Sequence, residues 1–383
     1  MRMQAMEEIR RINREYPYTA EIRKWKEEGK KVIGWTCNYI PEELIAAGGA
    51  LPLRLIHNFG EMPVDEANAY LSIYTCSYTR SILQMALDKK FNFLDGYVSL
   101  FICDAMRRLA DVWKNYQSIP LLYVLDLPHK ANAESEEFYI TEILNMKKAV
   151  EEALGKEITS ADLKKAIASY NVSRRLLNRI QELRKDDAPP ITGAEMQEVV
   201  NAATALPRDD YNFLLESLLR ELEAKRSSDS LSKKKVRLML GGSILNNVEF
   251  IRGIEEMGGM VVIDAICTGA RYWWGTVDET KEPLEALSSY YLNKFGCARM
   301  YPAESLRYNH ILHLAKEYRV AGFISAVIRT CAMNINDQVR VRERLSDEIN
   351  VPTLILDMEY GTGATGQIKT RVQAFIEMIQ GIA

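Results

Sequence analysis

The sequence predicts an α/β protein in which two parallel sheets flank a helical insertion. Three observations predict it. Short apolar strands alternate with helix signals from residue 31 to 125, the same alternation returns from 236 to 379, and the stretch between carries helical periodicity without a strand signal.

Residues 1 to about 31 are charged and helix-prone, and Lys31-Val32-Ile33-Gly34-Trp35-Thr36 reads as a short buried strand. A helix follows. Pro41 suits a first helical position, Glu42 and Glu43 suit the positive helix N-terminus, and Gly48-Gly49 supplies the stop. Leu51 to Leu55 is the next strand, Gly96 to Phe101 another, Asp104 to Trp113 a helix and Leu121 to Leu125 a strand. From about 138 to 226 the pattern is helical, rich in Lys, Glu, Leu and Ala, and broken by Pro189-Pro190 and Pro207. The polar run from Arg226 to Lys235 reads as a linker or exposed loop. The α/β alternation then resumes. Val236 to Leu240, Met260 to Ile266, Ala321 to Ile328 and Thr353 to Leu356 read as strands, with helices at Val248 to Met257 and Gln367 to Ile379. Two Rossmann-like parallel-sheet domains follow, 1–135 and 233–383, with a helical region and linker at 136–232.

With 383 residues the chain has ample length for such a core, and 47% hydrophobic with 26% charged residues is an ordinary globular composition. A net charge of −3 points to no nucleic-acid and no membrane-surface partner. No stretch approaches the roughly 20 apolar residues of a membrane span. The start, Met1 to Glu8, is charged and lacks the apolar core of a signal peptide, so a cytoplasmic location is expected.

In a reducing compartment the six cysteines are not expected to form three disulfides. Cys37, Cys76, Cys103, Cys267, Cys297 and Cys331 also contain no C-x-x-C pair of the common zinc sites. In open parallel sheets, ligands gather beyond the carboxyl ends of strands. Cys37, Cys103, Cys267 and Cys331 each follow a predicted strand, Cys76 opens a predicted helix, and Cys297 lies in a loop. Any single free cysteine is well explained as a small buried hydrophobe. The set is less easily explained that way, because its members sit at loop and helix starts beside Gly, Arg and polar residues. Arg80, Arg107, Arg271, Arg299 and Arg329 would offset thiolate charge, although a solvated surface face is the commoner role of any one arginine. Thiolates without histidines select iron–sulfur clusters or zinc, and none of the four histidines is near a cysteine in sequence.

These residues carry a resemblance. The run Gly34-Trp35-Thr36-Cys37-Asn38-Tyr39-Ile40-Pro41-Glu42-Glu43-Leu44-Ile45-Ala46-Ala47-Gly48, followed by Leu51-Pro52, resembles the opening motif of the 2-hydroxyacyl-CoA dehydratase and benzoyl-CoA reductase superfamily. The likeness continues through Cys76, Ile102-Cys103-Asp104, Asp264 to Tyr272, Cys331 and Gly366 to Glu377, nearly the whole chain. It implies that Cys76, Cys103 and Cys331 hold a 4Fe-4S cluster. Cys37, Cys267 and Cys297 resemble the additional set of the double-cubane cluster proteins, whose 8Fe-9S centre takes six cysteines in all. That branch ranks first. The resemblance further implies an anaerobic iron–sulfur oxidoreductase, a homodimer that reduces a small molecule with electrons from an ATP-hydrolysing activator protein carrying its own 4Fe-4S cluster. The alternative is one subunit of a heterodimeric 2-hydroxyacyl-CoA dehydratase, a lyase that dehydrates an acyl-CoA through a ketyl radical. A non-catalytic electron-transfer module is a second alternative.

Tyr39, Glu43 and Arg271 are the candidates for catalytic work, with Ser77 and Tyr272 also beside cysteines. Glu43 reads more readily as a solvated helix residue, and Trp273-Trp274 as core. Gly361-Thr362-Gly363-Ala364-Thr365-Gly366 matches G-x-G-x-x-G, but only one helix follows it before Ala383, leaving no room for the strand that carries the acidic ribose ligand. A glycine-rich loop facing the cluster crevice, or a flexible turn, fits better. Gly241-Gly242-Ser243 reads as a tight strand-to-helix turn, since no Gly-Lys-Ser/Thr follows.

Overall fold

The computed structural model describes residues 3–57, 60, 62–226, 235–363 and 365–382. Helices α1 (Gln4–Glu15) and α2 (Ala20–Glu27) precede strand β1 (Val32–Trp35). Then come α3 (Glu42–Ala47), β2 (Leu51–Arg54), α4 (Ser77–Leu87), β3 (Gly96–Leu100), α5 (Asp104–Tyr116) and β4 (Leu121–Leu125). The four strands form one sheet in the order β2-β1-β3-β4, every pair parallel. Because β1 is central and the chain leaves it in one direction before crossing to β3 on its other side, a crevice opens at the carboxyl ends of β1 and β3. Every residue of β1, β2 and β3 is buried, which is why these strands read as continuous apolar runs rather than alternating ones.

Four helices follow: α6 (Ala133–Leu154), α7 (Ser160–Glu182), α8 (Gly193–Ala202) and α9 (Arg208–Arg226). Their ends carry local signals. The Asn132 side chain accepts the Ser135 N–H at 3.0 Å to start α6, and Gly155 ends it at φ +63°. Thr159 with Asp162, and Thr192 with Glu195, form capping boxes at α7 and α8. Pro189-Pro190 lies between α7 and α8 and Pro207 just ahead of α9, as predicted for helix breakers. These helices reach both sheets: α7 packs on α3 of the first half, and α8 packs on β6 and α10 of the second.

The second sheet comprises β5 (Val236–Gly242), β6 (Gly259–Asp264), β7 (Gly322–Ile328) and β8 (Thr353–Met358), with α10 (Val248–Glu256) between β5 and β6. Its order, β6-β5-β7-β8, repeats that of the first and is again all parallel. Between β6 and β7 lie α11 (Ala270–Trp273), α12 (Pro283–Asn293) and α13 (Asn309–Glu317), between β7 and β8 lies α14 (Ala332–Ile349), and α15 (Gly366–Ile382) closes the chain. The α/β class with two parallel sheets is therefore the observed one. Helices α12, α13 and α14 have no counterpart in the sequence reading. The expected linker falls on residues 227–234, outside the described residues.

The Gly241-Gly242-Ser243 turn is corrected. Both glycines belong to β5, where Gly242 pairs with Ala326 of β7 and Gly241 lies under the Phe323 ring, so close strand packing, not a turn, requires them. In the G-x-G-x-x-G run, the Gly361 carbonyl accepts from Asn247 Nδ2 at 2.9 Å, and a Cβ at Gly361 would stand 2.4 Å from the Gly60 carbonyl oxygen. Residue 364 lies outside the described residues.

Candidate functional site

Each cysteine sits where the backbone leaves regular structure at the crevice. Cys37 follows β1, Cys103 follows β3 and caps α5, Cys267 follows β6, and Cys331 follows β7 and caps α14. Cys76 caps α4, and Cys297 lies in the loop after α12. All six are half-buried free thiols.

Their mutual electrostatics divide them into two trios. Cys267 and Cys297 both act on Cys37, while Cys76 and Cys331 both act on Cys103. Cys37 also acts on Cys103, which joins the trios. Each trio draws on both sheets. Burial pushes the Cys37 thiol up to about 12, reinforced by Cys297 and Cys267 and opposed by the Tyr39 amide and Arg54. Burial likewise pushes Cys103 up to about 12 and raises Cys76. Protein alone therefore keeps these thiols neutral, and a soft metal centre would have to displace their protons.

Among the described residues no three His, Cys, Asp or Glu side chains close on a single point as around one metal ion. A cluster of several irons differs, because its thiolates bind the periphery and stand further apart than ligands of one ion.

The trios differ in their surroundings. Cys37, Cys267 and Cys297, the inner trio, are flanked by buried Thr36, Asn38, Ile266, Thr268 and Gly296. Cys76, Cys103 and Cys331, the outer trio, lie near exposed Tyr74, Asp104, Thr330 and Ala332. Around the inner trio, Asn38 Nδ2 and Arg54 Nη1 donate to the Cys267 carbonyl at 2.6 and 2.8 Å, and the Cys297 N–H donates to the Tyr39 hydroxyl at 2.9 Å. At the outer trio, Asn334 Nδ2 donates to Cys331 Sγ at 3.2 Å and the Thr79 hydroxyl lies 3.6 Å from Cys76 Sγ.

The predicted catalytic candidates separate. Tyr39 is buried against Cys297. Arg271 is also buried, correcting the solvated reading for this one of the five arginines; burial opposes its charge, but Cys297, Cys267 and Tyr39 hold it charged. Arg107, Arg299 and Arg329 are exposed and Arg80 is half-buried. Glu43 is not the solvated residue expected. Arg174 of α7 pairs with it, and the Tyr291 hydroxyl donates to its second oxygen at 2.8 Å. Burial alone would raise its carboxyl, yet Arg174 holds it below the usual range. Beside it, Arg208 donates to Glu42 at 3.2 Å and to the Tyr272 hydroxyl at 3.0 Å. Ser77 Oγ accepts the Tyr360 N–H at 2.8 Å. Trp273 is core, as read, while Trp274 is half-buried on the wall of a cavity of about 420 Å³ with Tyr290, Phe295 and His310.

Sequence reasoning missed Asn38, Arg54 and Lys294. Arg54 left a signal: a charge inside a run otherwise read as a buried strand. Lys294 left none, and its burial shows only in three dimensions, where Nζ donates to the Asn38 carbonyl at 2.6 Å over the Tyr291 ring.

The family described as 2-hydroxyglutaryl-CoA dehydratase, D-component, matches residues 37–379, a span that includes both trios. The chain belongs to this family. It is 28% identical to the putative dehydratase YjiM of Escherichia coli across 92% of this chain and 93% of that one. It is 24% identical to a component of the benzoyl-CoA reductase of Thauera aromatica, over 94% of each chain. It is 25% identical to the beta chain of (R)-2-hydroxyglutaryl-CoA dehydratase of Acidaminococcus fermentans, over 94% of this chain and 95% of that one. The D-component family thus joins this chain to components of both dehydratases and reductases over almost its full length. No helix among the described residues is long and apolar enough to cross a membrane.

Proposed function

We propose that this D-component chain is an iron–sulfur reductase whose six cysteines hold a double-cubane 8Fe-9S centre between the α/β regions 1–135 and 233–383. In this reading the chain works as a cytoplasmic homodimer, takes low-potential electrons from an ATP-hydrolysing activator protein with its own 4Fe-4S cluster, and reduces a small molecule. One arrangement supports it: each trio takes thiols from both sheets, and Cys37 acts electrostatically on Cys103.

The donor set fits such a centre. It is all thiol, with buried cations at hand to offset a thiolate-rich anion. When bound, the centre would supply one-electron chemistry at low potential. The chain's residues do the rest. Asn38 and Arg54 fix the Cys267 loop through its carbonyl, Tyr39 fixes the Cys297 loop through its amide, and Asn334 and Thr79 orient outer sulfurs. Tyr39 and Arg271 stand at the inner thiols, where a substrate proton or negative charge would be met. Glu43 works behind them, holding Arg174 and Tyr291 in place.

The kinship with a dehydratase beta chain supports a second reading, a 4Fe-4S subunit of a 2-hydroxyacyl-CoA dehydratase that uses the outer trio alone. Anaerobic purification with iron and sulfide counting separates the two. About eight irons per chain are expected, falling when Cys37, Cys267 or Cys297 is changed to Ser. About four irons, unchanged by those substitutions and lost on Cys331→Ser, would replace the reductase reading by the dehydratase one.

A further inference from the structure

Two arginines, Arg54 and Arg271, crowd the inner trio without forming an ion pair with any carboxylate among the described residues, and Lys294 lies beside them. Arg54 is 1% exposed, lies over the Trp35 ring with its carbon 5.1 Å from the ring centre, and has no partner for its Nε among the described residues. Its Nη1 donates to the Cys267 carbonyl. Arg271, 4% exposed, donates to the Phe295 carbonyl at 3.5 Å and faces Cys297 and Cys267, and the buried Asp264, which accepts the Ala270 N–H, also feels its charge without an ion pair. Lys294 donates to the Asn38 carbonyl, and burial, with Arg174 adding to it, pulls its amine down to about 7, so it supplies no standing charge.

Burying charge without a counterion is costly. In the same molecule Arg174, Arg208 and Arg307 are each buried with their own Glu or Asp. Arg184 is buried without an ion pair among the described residues, with Glu255 and Asp264 acting on it, whereas Arg54 and Arg271 look toward a negative charge supplied at Cys37, Cys267 and Cys297. The outer trio has a different supply. Cys76, Cys103 and Cys331 cap α4, α5 and α14, whose N-termini carry about half a charge each, and the arginines there are exposed to water or reach it in part. Full charges in a dry setting outweigh partial charges in a wet one, since the same separation counts several-fold more at low dielectric.

We infer that Arg54 and Arg271 bias an added electron toward the inner thiols, so that the outer trio is the port of entry and the inner trio the resting place. The electron comes from an external one-electron donor, which is oxidised as the thiol-bound centre is reduced. This inference rests on the double-cubane reading.

The test uses full-length protein, purified anaerobically with iron counted, and titrated with a titanium(III) reductant while the reduced signal is followed by electron paramagnetic resonance. Arg54→Gln and Arg271→Gln should each lower the first midpoint potential, with a tenfold loss in the reduction equilibrium constant corresponding to about 59 mV. Arg107→Gln and Arg299→Gln should leave it in place. If Arg54→Gln fails to load iron, Arg271→Gln carries the same comparison. The cluster-free Arg271→Gln protein should unfold no earlier than the unsubstituted one, because it loses a charge that burial opposes; a merely structural role would lower that midpoint. With about eight irons bound, a potential unmoved in Arg54→Gln and Arg271→Gln overturns the inference and leaves the function reading intact. About four irons removes the function reading itself.

Discussion

Glu43 shows how a residue beside a predicted ligand can be misread from its neighbours in sequence. It occupies the first turn of α3, where an acid suits the helix N-terminus, and nothing local says that α7 covers it. Arg174, inside α7 and part of no motif, supplies the charge that lets the carboxylate stay ionised at 0% exposure. Removing one partner strands the other, so Arg174→Leu should cost roughly 3–5 kcal/mol in chemical denaturation of the cluster-free protein. The double substitution Glu43→Leu with Arg174→Leu should cost less than the sum of the single ones. The pH dependence has a definite sign. Because the folded carboxyl lies below its unfolded value, Glu43 contributes its stability above the ordinary carboxylate range and loses it as pH falls through the depressed folded value. In Arg174→Leu that contribution should vanish from the stability-against-pH curve. The cysteines were legible at this scale because six thiols without nearby histidines already restrict the chemistry, whatever the fold.

At the scale of elements, strands were legible and several helices were not. Strands buried on both faces stand out as continuous apolar runs, and all eight strands of the described residues lie where apolar runs predicted them, with ends shifted by up to two residues. Helix α14 escaped because its buried positions include Asn334 and Asp337 among only a few apolar ones, so its pattern resembles a solvated segment. Asp337 is buried there as the partner of Arg307, a pairing across the second half that no window of sequence contains. The end of β5 carries the sharpest local constraint. Gly242 has φ +111°, and a Cβ there would stand 2.0 Å from the Ala326 carbonyl oxygen. Gly242→Ala should therefore cost roughly 2–5 kcal/mol, from backbone strain and overpacking together, read as a lower denaturation midpoint. An unchanged midpoint would mean that β5 and β7 do not pair through Gly242 as described.

At the scale of the whole molecule, the two sheets are tied before any centre is added. The His57 N–H donates to the Tyr360 hydroxyl at 2.9 Å, Tyr360 donates to Asn246 Oδ1 at 2.7 Å, and Asn246 Nδ2 donates to the His57 carbonyl at 2.8 Å. Each trio would add further ties across the same crevice, since each takes thiols from both sheets. Binding that favours the folded chain alone must raise its stability, so iron loading should raise the thermal midpoint by about 5 °C or more, and chelation should reverse the rise. A midpoint indifferent to iron would count against ligands drawn from both halves. By itself the sequence determined the α/β class, the breaks at Pro189-Pro190 and Pro207, and the placing of four cysteines just beyond strand ends, because hydrophobic period and thiol chemistry are local properties. Only the tertiary structure decided that the cysteines divide into two trios, that Arg271 and Glu43 are buried, and that Arg54, Arg271 and Lys294 converge on one of those trios. The reason is physical: burial and electrostatic neighbourhood belong to pairs of residues up to hundreds of positions apart, and they exist only once the sheets and the α6–α9 helices have packed together.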